Sequence, residues 1–125
     1  MITLQELLNK CYGGQPDFGN RELGINTDKL LKAVNLVRKH RNKPMIPSCF
    51  YRSVAWDKSK GRSGLSQHCL CAAVDFSDPD GSLAVWCLNN LFVLVQAGLW
   101  MEDPKATKGW VHFDLKERKN RVFKP

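Results

Sequence analysis

Apolar and polar positions follow two periods along this chain, and the change from one to the other separates helices from strands. Leu30, Leu31, Val34 and Val37 fall on one helical face, while Lys29, Lys32, Arg38 and Lys39 lie largely off it. This is the spacing of an amphipathic helix. Asn26 or Thr27 can cap that helix, which then runs to about His40. Upstream, Thr3-Leu4-Gln5-Glu6 has the form of a capping box, so a short helix is expected to begin near Thr3. Gly13, Gly14, Pro16 and Gly19 mark an irregular connection between the two.

Further along, Pro44 to Phe50 reads as a strand leading into Tyr51-Arg52-Ser53, and Asp57 to Gly64 as a polar loop. Cys71 to Phe76 reads as a buried strand, and Asp78-Pro79-Asp80-Gly81 as a turn. Ser82 can cap a third helix over Leu83 to Ala97, with Gly98 just past its end. That helix is apolar nearly all round, which predicts a central position. Leu99 to Glu102 could form a strand, and Trp110 to Leu115 alternates as a strand does. Lys116 to Pro125 is basic, with Val122 and Phe123 as anchors. Helices followed by strands around one apolar helix predict an α+β domain with a small, mainly antiparallel sheet and flanking helices.

The length of 125 residues suits a single domain over 1–125. A hydrophobic content of 43% argues against disorder. No apolar run approaches the roughly 20 residues of a membrane span, so no membrane partner is expected. Met1 to Lys10 lacks a basic stretch followed by an apolar core, which predicts no signal peptide. The odd set Cys11, Cys49, Cys69, Cys71 and Cys87 then predicts free thiols. Cys49 and Cys87 sit in apolar runs and read as core. A formal charge of +7 favours polyanions in general, wall polymers and nucleic acid alike. No recognition helix or RNA-binding signature accompanies it, so nucleic acid is an unlikely partner.

The candidate chemistry lies in His68, Asp75 and His112. Two imidazoles and a carboxylate form a donor set suited to zinc, with a fourth position left for water. Spacing alone fits hydrogen-bonded structural histidines as well. Cys69 and Cys71 flank the same histidine and form a second possible donor pair.

The words around these residues narrow the choice. Ser66-Gln67-His68, Ala73-Val74-Asp75 and Trp110-Val111-His112-Phe113-Asp114 resemble the motifs S-x-H-x-x-G-x-A-x-D and W-x-H-x-D. Phe50-Tyr51-Arg52-Ser53 is similar to the G-Y-R-S segment that precedes them. These motifs belong to the zinc peptidases that include D-Ala-D-Ala carboxypeptidases, phage L-alanyl-D-glutamate endolysins and vancomycin-resistance dipeptidases. Their fold is shared with the Hedgehog signalling domain. The resemblance runs from about Leu30 to Pro125, and the ending Lys119 to Pro125 looks like compact phage-encoded members.

The resemblance implies a Hedgehog/DD-peptidase-like fold and a Zn2+ cofactor on His68, Asp75 and His112. It implies hydrolysis of peptidoglycan stem peptides, with Arg52, Ser66 and Tyr51 on the substrate side. It also implies a phage product, in the host cytoplasm or the virion, with other virion proteins as further candidate partners.

Two departures stand out. The motif glycine is Cys71, which is costly if the backbone needs a positive φ there. The acid that many relatives carry three residues before the last metal histidine is Gly109 here. Glu102 is the first substitute for that general base, then Asp103 and Asp114. Asp114 shares a strand face with His112 and could instead fix its tautomer. The alternative reading is a virion or wall-binding module of the same fold that keeps zinc without turnover.

Overall fold

The computed structural model describes residues 1–125 as an α+β arrangement. In chain order it contains α1 (Leu4–Leu8), α2 (Arg21–Arg41), β1 (Pro47–Cys49), α3 (Val54–Ser59) and a 3-10 helix (Gln67–Leu70). There follow β2 (Ala73–Asp78), α4 (Ser82–Asn89), α5 (Leu91–Ala97), β3 (Trp100–Glu102), β4 (Gly109–Asp114) and β5 (Val122–Phe123). The strands make one sheet in the order β1-β2-β4-β3-β5. All neighbours pair antiparallel except β3 and β5. None of the helices is long and apolar enough to cross a membrane.

Alternation along the strands gives the sheet two unlike faces. Val74, Phe76, Met101, Val111 and Phe113 are fully buried in the core with α2, α4 and α5 residues such as Leu30, Val34, Val37, Leu83 and Leu94. Asp75, Glu102, Trp110 and His112 alternate with them and therefore point to the opposite face. Helices cover one face; the other carries the polar row.

The capping box at Thr3 forms as expected, its hydroxyl accepting from Glu6 N and the Glu6 carboxylate accepting from Thr3 N. The second helix starts earlier than expected. Its cap is Asn20, which accepts from Glu22 N at 3.0 Å, not Asn26 or Thr27. The buried stripe extends back through Thr27 to Leu23, and Thr27 bonds the Leu23 carbonyl from inside the helix. Asn26 instead donates to Leu70 O and ties α2 to the 3-10 helix.

The third expected helix is two. The backbone breaks at Asn90 (φ −136°, ψ 41°), whose side chain donates to Trp86 O. Ser82 is not its cap. The buried Asp78 carboxylate reaches over the turn and accepts from Leu83 N and Ala84 N, both at 2.9 Å. Nor is this segment central: Val85, Leu88, Phe92 and Val95 are exposed, Phe92 to 62%. Apolar composition all round did not enforce burial all round. The polar loop expected from Asp57 begins inside α3, which Ser53 caps by accepting from Trp56 N.

Candidate metal centre

The register of the sheet assembles the site. Cys49 on β1 pairs with Asp75 on β2, and Asp75 pairs with His112 on β4. On the other side of β4, Trp100 pairs with Asp114 and Met101 with Phe113. Continuing that register by one residue sets Glu102 across from His112, and Glu102 itself pairs with Phe123 of β5. One residue from each strand thus forms a row across the open face.

His68 arrives beside this row from the 3-10 helix. Ser66 caps that helix, accepting from His68 N. Cys71 then reverses the chain into β2 with φ 56°. A non-glycine residue in this region costs about 1–2 kcal/mol. The Cys71 side chain is completely buried in the core, which offsets that cost. The position therefore needs the positive φ that glycine supplies most easily and also has room for a packed side chain.

The buried His68 ring is fixed by its Nδ1–H, which donates to the Phe50 carbonyl at 2.6 Å. A carbonyl only accepts, so Nδ1 carries a proton, and Nε2 is a lone pair whenever the ring is neutral. That Nε2 lies 3.3 Å from Asp75 Oδ1. The same oxygen lies 2.9 Å from His112 Nδ1. On its far side, His112 Nε2 is 2.7 Å from Asp114 Oδ2. Asp114 is fully buried and receives Arg118 Nη1 at 2.6 Å and Nη2 at 3.1 Å. The Arg118 guanidinium lies over the Phe123 ring, 3.4 Å from its centroid.

These contacts set the charges. Burial disfavours an imidazolium at His112, but hydrogen bonds to Asp114 and Asp75 outweigh it and raise its pKa to about 9. Burial likewise opposes ionisation of Asp75, yet bonds from His112 and His68 hold its carboxyl far below the usual range. Asp114 is lowered in the same way, against burial, by His112 and Arg118. Without a cation, His112 is an imidazolium clasped between two carboxylates. When its Nδ1 proton leaves and His68 is neutral, a lone pair from each ring is directed at Asp75 Oδ1, an arrangement that a cation can satisfy.

One group of side chains could hold a metal ion, with ligand atoms all within 4.8 Å of one another: Cys49, His68 and Asp75, without His112. Cys49, expected as core, is half-buried beside His68, with its Sγ 3.7 Å from Nδ1. Burial, and then the Asp75 charge, push its thiol up to about 12. Cys69 and Cys71 belong to no such group. All five cysteines are free thiols.

A cavity of about 380 Å³ opens over the row. His68, Asp75, Glu102, His112 and Asp114 line it, as do Arg52 and Ser66. Arg52 donates to Ser66 Oγ at 3.0 Å. Its backbone is held by a bridge to Tyr12 and by its N–H donating to His68 O. Tyr51 and Asp103 stand outside this cavity. Tyr51 packs against the core, and the Asp103 carboxylate accepts from Lys105 N in the turn after β3.

Sequence reasoning missed Cys49, Arg118 and Asp57. Cys49 becomes a neighbour only through strand pairing. Arg118 follows a strand, where a four-residue spacing carries no signal. Asp57 was hidden by the loop reading. In comparisons with known proteins, the chain matches no family model, no curated sequence and no solved structure.

Proposed function

We propose that this chain is a zinc peptidase that hydrolyses peptide bonds in bacterial peptidoglycan stem peptides. In this reading it has the Hedgehog/DD-peptidase-like fold and is phage-encoded, as the motifs around His68, Asp75 and His112 imply. One observation carries the reading. His68 Nε2 and His112 Nδ1 both face Asp75 Oδ1, while their other nitrogens are anchored on Phe50 O and Asp114. Anchoring the outer nitrogen of a ligand histidine is how proteins fix the tautomer that binds metal.

His68, Asp75 and His112 would hold the ion. Cys49 is the weaker candidate. Its Sγ faces the His68 nitrogen already committed to Phe50. Bound zinc would acidify a water molecule and polarise a substrate carbonyl. Glu102, on the strand beside His112 and in the same cavity, would take the proton and deliver it to the departing amine. Arg52 would grip a substrate carboxylate with its guanidinium, and Ser66 links that arginine to the His68 turn.

Purified protein should contain about one zinc per chain by elemental analysis, and His68→Ala should lose it. Wild type should release peptides from purified sacculi, read by mass spectrometry. Glu102→Gln should be zinc-loaded and at least about 100-fold slower, the low end of what a positioned acid–base group supplies. Full activity in Glu102→Gln removes that residue from the mechanism. A zinc-loaded wild type silent on several wall chemotypes would favour the binding module, a reading supported by the missing acid at Gly109.

A further inference from the structure

Asp57 has no place in the chemistry above, and its surroundings are unusual. It lies in α3, is completely buried, and neither carboxylate oxygen receives a hydrogen bond. Its nearest cations are Arg52, with Nε 3.5 Å from Oδ1, and Arg62, with Nε 4.0 Å away. At those separations the attraction is ionic, without hydrogen-bond geometry. Burying a carboxylate on such terms is expensive, and replacing buried ion pairs by apolar groups often stabilises a fold. Stability alone is therefore a poor reason for an acid at this position.

Its partner supplies a better one. The Arg52 side chain is 15% exposed, and its Nε has no hydrogen-bond acceptor. Its backbone is fixed by Tyr12 and His68, but a long side chain keeps rotamers that the backbone does not restrain. Two contacts select one of them. Ser66 Oγ accepts from Nη2 at 3.0 Å, and Asp57 attracts the Nε edge from inside the protein. With the inner edge held, the guanidinium is presented at the wall of the cavity that contains His68, Asp75 and His112.

We propose that Asp57 is a positioning residue: its buried charge pre-orients Arg52 to bind a substrate carboxylate beside the metal centre. The proposal rests on the reading of Arg52 as the carboxylate-binding group. Asp57 touches no substrate and acts through Arg52 alone. Arg62 is the outer, half-exposed partner that tempers the buried charge.

The test is carboxylate binding, which needs no turnover. N-acetyl-D-alanine is titrated into the zinc-loaded protein while arginine Nε–H signals are followed by NMR, with the Arg52 signal assigned by its loss in Arg52→Ala. Asp57→Asn is expected to move and broaden the Arg52 signal. It should weaken probe binding about three- to tenfold, the affinity equivalent of freeing one long side chain. Zinc stoichiometry should not change. Asp57→Glu, which keeps the charge and adds one methylene, serves if Asp57→Asn does not fold, and should also weaken the probe.

Variants that fold, melt lower and bind the probe as wild type does would overturn the proposal and leave Asp57 a core ion pair. Equal binding by wild type and Arg52→Ala would overturn the reading of Arg52 and the proposal with it. The first result leaves the carboxylate site standing; the second removes it.

Discussion

Replacing Asp114 by asparagine isolates the part of the site that the metal does not touch. The substitution is nearly isosteric and keeps an oxygen that can accept from His112 Nε2–H. It removes a charge that is fully buried, 2.7 Å from His112 and doubly bonded to Arg118. Breaking one partner out of a buried pair costs about 3–5 kcal/mol. Arg118 retains some solvent contact, with 23% of its side chain exposed, which lowers the expectation to about 2–3 kcal/mol.

Metal affinity should fall as well. Removing the carboxylate behind a ligand histidine typically costs about 10- to 100-fold. The assays are urea unfolding of zinc-free protein and zinc competition against a chromophoric chelator at fixed pH. Histidine ¹⁵N shifts report the His112 tautomer. Full zinc affinity in a folded Asp114→Asn, with the His112 shifts unchanged, would refute the claim that Asp114 sets the ligand state of His112. A loss confined to stability would reduce Asp114 to the anchor of Arg118.

Three further outcomes follow from the same contacts. The pKa of His112 is raised from 6.5 to about 9, so the imidazolium stabilises the zinc-free fold. That contribution is fully present below about pH 6.5, is lost as pH rises towards 9, and is worth about 3 kcal/mol. Zinc must displace this proton, so its affinity should rise close to tenfold per pH unit through the same window; a flat profile from pH 7 to 9 refutes it. Cys49→Ser should retain one zinc at near wild-type affinity, whereas loss of zinc would assign the ion to Cys49, the His68 Nδ1 side and Asp75.

What could be read from the sequence depended on how local the determinant was. The capping box at Thr3 and the alternation over Trp110 to Leu115 rest on neighbours in the chain, and both appear in the structure. The start of α2 was placed late because Leu23 and Thr27 were not counted into the apolar stripe, although Asn20 had the chemistry of a cap. The break at Asn90 and the exposure of Phe92 depend on what α2 and the sheet leave uncovered, which no window of sequence contains. The proximity of His68, Asp75 and His112 was suggested by motif resemblance, not periodicity. The structure brings them together through the Asp75–His112 register and the left-handed turn at Cys71. Cys49 and Asp57 were illegible for one reason: each acquires its neighbour from a distant segment.

The two-residue alternation of the sheet has a consequence for how this site can change. Val74, Phe76, Val111 and Phe113 face the core, while Asp75, Trp110 and His112 between them face the cavity. A substitution on one set leaves the other on its own face, so chemistry on β2 and β4 can vary without emptying the core. Asp114 and Asp57 break that separation. Each is a fully buried acid tied to an arginine at the cavity wall, and each binds stability to geometry in a single ion pair. Removing either carboxylate leaves its arginine without that buried partner, whereas removing Glu102 or Trp110, neither of which is in an ion pair, leaves no such charge. Glu102 and Trp110 should therefore prove cheap to replace in stability, and Asp114 and Asp57 costly. Outside the Asp75–His112 pair, which is itself ionic, that contrast distinguishes groups that would touch substrate from groups that hold them in position.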